Sequence, residues 1–231
     1  MLLGAAMNTH AHKAGHYARG RPEYPAAFFD FLYGEAGFRE NDIIADIGCG
    51  PGNVTKFFLA RGNPVIAVEP DEDMRRIADA SLGGYPSYQS FRRSAEDTGL
   101  EANAVDHIFC GNAYLWFARE KAVPEFRRIL RENGTVVVAN LCSAGTDADL
   151  PPPFLPGAAL EKTFAYAIRE PLEQFLHGSL SASSAPLPGD DAYEAFCQGI
   201  RRHFKKHSQN GLLEVEMRLH CMIGKAEYLA I

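Results

Sequence analysis

The sequence predicts an α/β fold in which helices flank a mostly parallel sheet. Three observations predict it. Short apolar runs alternate with segments of helical periodicity between Asp42 and Asn140, the pattern of successive βαβ units. The run Ile43–Ile47 passes directly into Gly48, Gly50 and Gly52 and then a helix, a junction where a ligand can lie against bare backbone at the mouth of such a sheet. A second run, Val65–Val68, ends in Glu69, seventeen residues past Gly52. An acid there can accept hydrogen bonds from both hydroxyls of a ribose, so an adenosine-containing cofactor is expected.

The elements follow in order. Residues 1–20 are polar, contain Gly4, Gly15 and Gly20, and read as a mobile arm. Arg21-Pro22-Glu23-Tyr24-Pro25 leads into an aromatic helix over 26–33, with Pro25 suited to the first turn and Gly34 to the end. A strand over 42–47 precedes a helix over 53–60 that places Val54, Phe57 and Phe58 on one face. The next strand, 65–69, is followed by a helix over 71–81 with Met74, Ile77 and Ala78 inward, stopping at Gly83-Gly84. A weaker third strand lies at 88–92 and a fourth at 105–110. A helix over 124–131 and a fifth strand over 135–140 complete the series.

After Leu141 the pattern changes. Residues 143–157 (Ala, Asp, Pro) and 178–190 (Ser, Ala, Pro, Gly) read as loops. Between them, 158–177 reads as helical, with Pro171 starting a new turn or kinking the old one. Another amphipathic helix over 190–206 uses Tyr193, Phe196, Ile200 and Phe204, and a β-rich tail runs from 212 to 231. The expected organisation is a single domain over 1–231. It comprises an arm and helix (1–35), a cofactor-binding core (36–142), a small helical lid or insertion (143–190), and a final helix with closing strands (191–231).

Composition narrows the function. A chain of 231 residues holds one good core. Its 23 basic against 29 acidic residues, net −6, argue against a nucleic-acid or anionic-membrane partner, whose phosphates want clustered Lys and Arg. The basic pairs at 92–93, 127–128, 201–202 and 205–206 read as solvated faces. Five scattered cysteines without a C-x-x-C spacing exclude a zinc knuckle or thioredoxin-like motif and suit reduced thiols. No run of 18 apolar residues and no signal-peptide core occurs, so cytoplasmic residence is expected.

The glycine motif discriminates between cofactors. A dinucleotide site wants G-x-G-x-x-G with a pyrophosphate at the helix start. This chain has Gly48-x-Gly50-x-Gly52, with Asp46 two residues before the first glycine. An acid there repels a pyrophosphate and attracts a cation. S-adenosylmethionine carries a sulfonium, an ammonium and no phosphate, and a nicotinamide cofactor is the poorer match.

At this point the chain resembles the class I S-adenosylmethionine-dependent methyltransferases, over residues 17–142. Asp46-Ile47-Gly48-Cys49-Gly50-Pro51-Gly52-Asn53 is similar to their first motif, Val68-Glu69-Pro70-Asp71 to their second, and Ser94-Ala95-Glu96-Asp97-Thr98-Gly99-Leu100 to their third. Asn112-Ala113-Tyr114-Leu115-Trp116-Phe117 is similar to the aromatic stretch after the fourth strand. Tyr17-x-x-x-Arg21-Pro22-x-Tyr24-Pro25 resembles the N-terminal segment of a small-molecule branch that includes trans-aconitate methyltransferases. The resemblance implies a Rossmann-like sheet of seven strands with the last antiparallel. It also implies cofactor contacts from Tyr17, Arg21, Asp46, Gly48, Cys49, Gly50, Gly52, Glu69, Pro70, Ala95, Glu96 and Asn112. Tyr114 and Trp116 would face a substrate pocket. Leu115 replaces a histidine found in part of the family, which leaves that loop without a general base, and Ser94 replaces a common aspartate.

Several residues read more plainly. His10, His12 and His16 in the arm read as surface histidines, and His107 as a satisfied core residue. No metal is expected and no catalytic residue is assigned, because displacement at a sulfonium methyl is mainly a matter of positioning. The expected function is methyl transfer to a small-molecule acceptor (an O-, N- or C-nucleophile, possibly a carboxylate) by a monomer or homodimer. The alternative is a non-catalytic S-adenosylmethionine-binding module serving as a sensor or partner subunit.

Overall fold

Three short apolar strands lie side by side at the centre of the computed structural model, which describes residues 13–144, 153–157 and 159–230. β1 (Ile44–Ile47) is buried at every position and pairs in parallel with β2 (Val65–Val68) and β4 (Val105–Gly111). β3 (Tyr88–Phe91) adds to β2, and β5 (Leu130–Ser143) to β4, both in parallel. Strands buried on both faces need helices on both sides, which the βαβ connections supply. β7 (Leu213–Gly224) runs antiparallel to β5 and to β6 (Ala159–Glu170), so the order is β3-β2-β1-β4-β5-β7-β6. The Rossmann-like, mostly parallel seven-stranded sheet with an antiparallel final strand is thus observed.

One face of the sheet is covered by α2 (Ala26–Gly34), α3 (Thr55–Ala60) and α4 (Glu72–Leu82), through Phe28, Phe29, Leu32, Phe58, Ala78 and Leu82. The opposite face is covered by α5 (Arg119–Ile129), through Ala122, Val123, Phe126 and Ile129. This helix begins before the predicted 124–131 segment and holds Pro124 in its interior. Burial of its apolar stripe offsets the missing N–H. β5 is also longer than the predicted 135–140: at its start Leu130 pairs with Val105 of β4, and toward its end β7 stays in register from Val136↔Gly224 to Ser143↔Met217.

The main correction concerns 158–177. Residues 159–170 form strand β6, paired with β7 from Ala159↔Gly224 to Glu170↔Leu213. Phe164, Tyr166 and Ile168 pack inward against the α2 side, while Glu161, Thr163, Ala165, Ala167 and Arg169 face out. That is period two. Among the described residues, the helical part of the expected lid over 143–190 is α6 (Leu172–Leu180), which Pro171 starts rather than kinks. α6 packs on α1 (Ala14–Gly20), so residues 14–20 of the arm are helical, and α7 (Tyr193–His207) packs on α6. His10 and His12 lie outside the described residues. No helix among the described residues is long and apolar enough to cross a membrane.

Candidate functional site

Strand order reverses between β1 and β4, and a crevice opens beyond their carboxyl ends, where open α/β sheets bind ligands. Beyond Ile47 the chain turns through Gly48 and Gly50 at φ +72° and +57°. A Cβ at Gly48 would stand 2.6 Å from the Ala113 methyl, so the β1 and β4 loops touch only because that side chain is absent. At Gly50 the nearest atom to a Cβ would be Tyr17 Cε1 at 3.9 Å, which leaves the backbone bare toward the cavity. Gly52 differs. Its missing Cβ would meet Leu82 Cδ1 at 2.6 Å, so it seats α4 and does not line the crevice.

Glu69 ends β2 and ties the loops together. Its Oε2 accepts from the Gly50 amide and its Oε1 from the Asp71 amide, both at 2.9 Å. Asp71 in turn caps α4 by accepting from the Met74 amide at 2.9 Å. Burial pushes the Glu69 carboxyl up to about 7, against the two amide bonds. Asp46 is buried deeper and accepts from Thr55 Oγ1 at 2.6 Å. Burial, reinforced by Glu69, raises it to about 7 as well. Both acids are thus poised to ionise when a cation arrives. Burial raises the Cys49 thiol well above its ordinary value, so it stays protonated.

Two adjoining cavities use these groups. The larger, about 540 Å³, runs from Tyr17, Gly48 and Gly50 past Glu69 and Pro70 to Ala95, Glu96, Asn112 and Trp116. The smaller, about 50 Å³, lies against the glycine loop and is walled by Tyr17, Arg21, Asp46, Cys49 and Asn112. Every residue predicted to touch the cofactor except Gly52 therefore lines one of them. Tyr17 belongs to both, with the Arg21 guanidinium carbon 4.7 Å from its ring centre. Arg21 Nε is buried without a hydrogen-bond partner among the described residues. Glu96 Oε1 accepts from the Ala118 amide at 2.8 Å. Asn112, at φ +54°, clamps Leu141 by accepting from its amide at 2.6 Å and donating to its carbonyl at 3.1 Å.

Tyr114 is a correction. It is 2% exposed and sits in the core beneath the loop, so it lines neither cavity. The 3₁₀ turn Tyr114–Trp116 turns it inward and leaves Leu115 and Trp116 exposed. His107 is the satisfied core residue expected: its Nδ1 lies 2.8 Å from Thr135 Oγ1, its Nε2 3.1 Å from Asp42 Oδ2, and it stacks on Phe38. His16 pairs with His177 rather than standing free at the surface. The predicted set lacked Tyr24, Asn53, Arg92, Gly111 and Phe117, which also line the cavities. Gly111 carried a signal, since a glycine ending a buried strand often marks close approach. A Cβ there would lie 2.8 Å from Phe109 and 2.9 Å from the Tyr24 hydroxyl.

Residues 45–138 match the family model of the methyltransferase domain. An uncharacterised methyltransferase of Mycobacterium bovis is 35% identical over 120 residues, 52% of this chain and 46% of the relative. A methyltransferase-like protein of Schizosaccharomyces pombe is 33% identical over 119 residues, 51% of this chain and 45% of the relative. The chain thus spans about half the length of the curated relatives it matches. A solved candidate type II methyltransferase from Anaeromyxobacter dehalogenans shares the fold with TM-score 0.63 and 23% identity, covering 89% of this chain and 98% of that one. S-adenosylmethionine is accordingly the cofactor to fit, and the residues present suit it. The floor at Gly50 is bare, two buried acids await a cation, and the larger cavity has the size of a cofactor site.

Proposed function

We propose that this chain transfers a methyl group from S-adenosylmethionine to a small-molecule acceptor. The observation that carries the reading is the pair of buried carboxylates, Asp46 and Glu69, flanking a side-chain-free loop between two joined cavities. The glycine loop and Asp46 would hold the methionine end, Glu69 the ribose hydroxyls, and the Ala95 backbone with Glu96 the adenine. Bound, the sulfonium supplies an already activated methyl group. What the chain adds is position. Tyr17, Arg21 and Tyr24 wall the smaller cavity, and a reacting atom must be held about 3 Å from the methyl carbon, in line with the bond that breaks. Burial raises the Tyr17 and Tyr24 phenols above their ordinary value, so both remain hydrogen-bond donors at neutral pH. A carboxylate acceptor needs no base; a phenol or amine needs one.

Calorimetry with S-adenosylmethionine and S-adenosylhomocysteine, on protein stripped of carried-over metabolite, tests the cofactor. A panel of small acids, phenols and amines with labelled donor tests the reaction. Binding followed by methyl release to a panel member is the expected result. Absence of affinity for either compound overturns the reading. Tight binding without turnover on any acceptor favours the sensor module instead.

A further inference from the structure

We propose that Lys13 is a positioning residue for the cofactor crevice: it fastens α1 to the end of α6 and so holds Tyr17 in the wall shared by the two cavities. The inference rests on the function proposed above. Lys13 immediately precedes α1 and, although cationic, is 2% exposed. Its Nζ donates to the carbonyls of Ala182 at 2.6 Å, Ser183 at 3.2 Å and Ala185 at 2.6 Å. An ammonium has three N–H bonds, and here three acceptors surround it. The acceptors lie just past the C-terminal end of α6, where a helix carries partial negative charge. A buried cation is tolerated only when so fully satisfied, which makes the contact close to all-or-none.

Two further contacts seat the same helix on the same partner. His16 Nδ1 lies 2.6 Å from His177 Nδ1, so one ring donates and the other accepts. A Cβ at Gly20 would fall 2.0 Å from the Gly178 nitrogen, and one at Gly178 would fall 2.9 Å from the Gly20 carbonyl oxygen. Backbone lies on backbone there. Lys13, His16 and Gly20 thus fix one side of α1 to α6, and Tyr17, one turn after Lys13, points to the crevice. Lys13, buried at the start of α1, thus sets where the aromatic wall of the cofactor site stands.

The test compares wild type with Lys13→Met, which keeps the aliphatic stem and removes the ammonium, and with Gly178→Ala, which pushes α1 off from the other end. S-adenosylhomocysteine affinity is measured by calorimetry, and backbone hydrogen exchange is followed by mass spectrometry. Both variants should bind at least tenfold more weakly, with faster exchange over residues 14–20 and unchanged protection in β1 and β4. Faster exchange in α1 with unchanged affinity overturns the positioning role, as does unchanged exchange. Should Lys13→Met fail to fold, Gly178→Ala decides alone. A wild type that binds nothing refutes the function proposed above, while the exchange data still judge the fastening.

Discussion

Replacing Glu69 with glutamine separates ligand recognition from folding. Glutamine has nearly the same shape but one acceptor oxygen where glutamate has two, and both carboxylate oxygens are engaged, by the Gly50 and Asp71 amides. Burial holds the carboxyl at about 7 against an ordinary 4.5, a shift that corresponds to about 3 kcal/mol of cost for the charged form. Glu69→Gln removes that cost above pH 7. It also sets an NH₂ group against one backbone N–H, a loss of roughly 1–3 kcal/mol. The two effects oppose, so unfolding stability at pH 8 should change by no more than about 2 kcal/mol. Affinity should behave differently. Losing a charge-assisted acceptor for one ribose hydroxyl costs roughly 1.5–3 kcal/mol, or roughly 10- to 100-fold in Kd. Calorimetry with S-adenosylhomocysteine, paired with urea denaturation, measures both. An affinity within twofold of wild type would refute the ribose-binding role of Glu69.

Two other expectations follow from the same crevice. Asp46 and Glu69 both have folded-state values raised to about 7, so the ligand-free fold holds protons that the unfolded chain has released. Their contribution to stability therefore falls as pH rises from about 4 to about 7, while affinity for the cationic donor rises through the same range. Calorimetry from pH 5.5 to 8.5 in buffers of different ionisation enthalpy should show that rise, with proton release on binding at the acid end; a flat profile contradicts it. Gly48→Ala should destabilise the fold by about 2–5 kcal/mol, combining a left-handed residue with overpacking against Ala113. A loss under about 1 kcal/mol in chemical denaturation would show that the two loops can move apart.

The amino-acid sequence by itself determined the centre of this protein. β1, β2, β4 and the 136–139 stretch of β5 are buried on both faces, so their apolar composition announces them without reference to neighbours. The glycines and acids of the crevice were legible for a related reason: they lie within a few residues of strand ends, and the parallel sheet brings those ends together. His107 was legible as core because it stands inside such a strand.

Only the tertiary structure decided the rest. Ala159–Glu170 is an edge strand with one open face, and its mixed composition suits a helix until β7, more than forty residues later, offers a pairing partner. Gly50 and Gly52 are the same residue in the same motif, yet one faces the cavity and the other faces Leu82. Tyr114 and Trp116 are two residues apart, and a single 3₁₀ turn sends one to the core and the other to the rim. Nothing local to Lys13 names its partners: Ala182, Ser183 and Ala185, some 170 residues later, surround its ammonium. Periodicity reports how much of a segment is buried, but which group stands opposite is a property of contacts distant in sequence, and no local pattern encodes it.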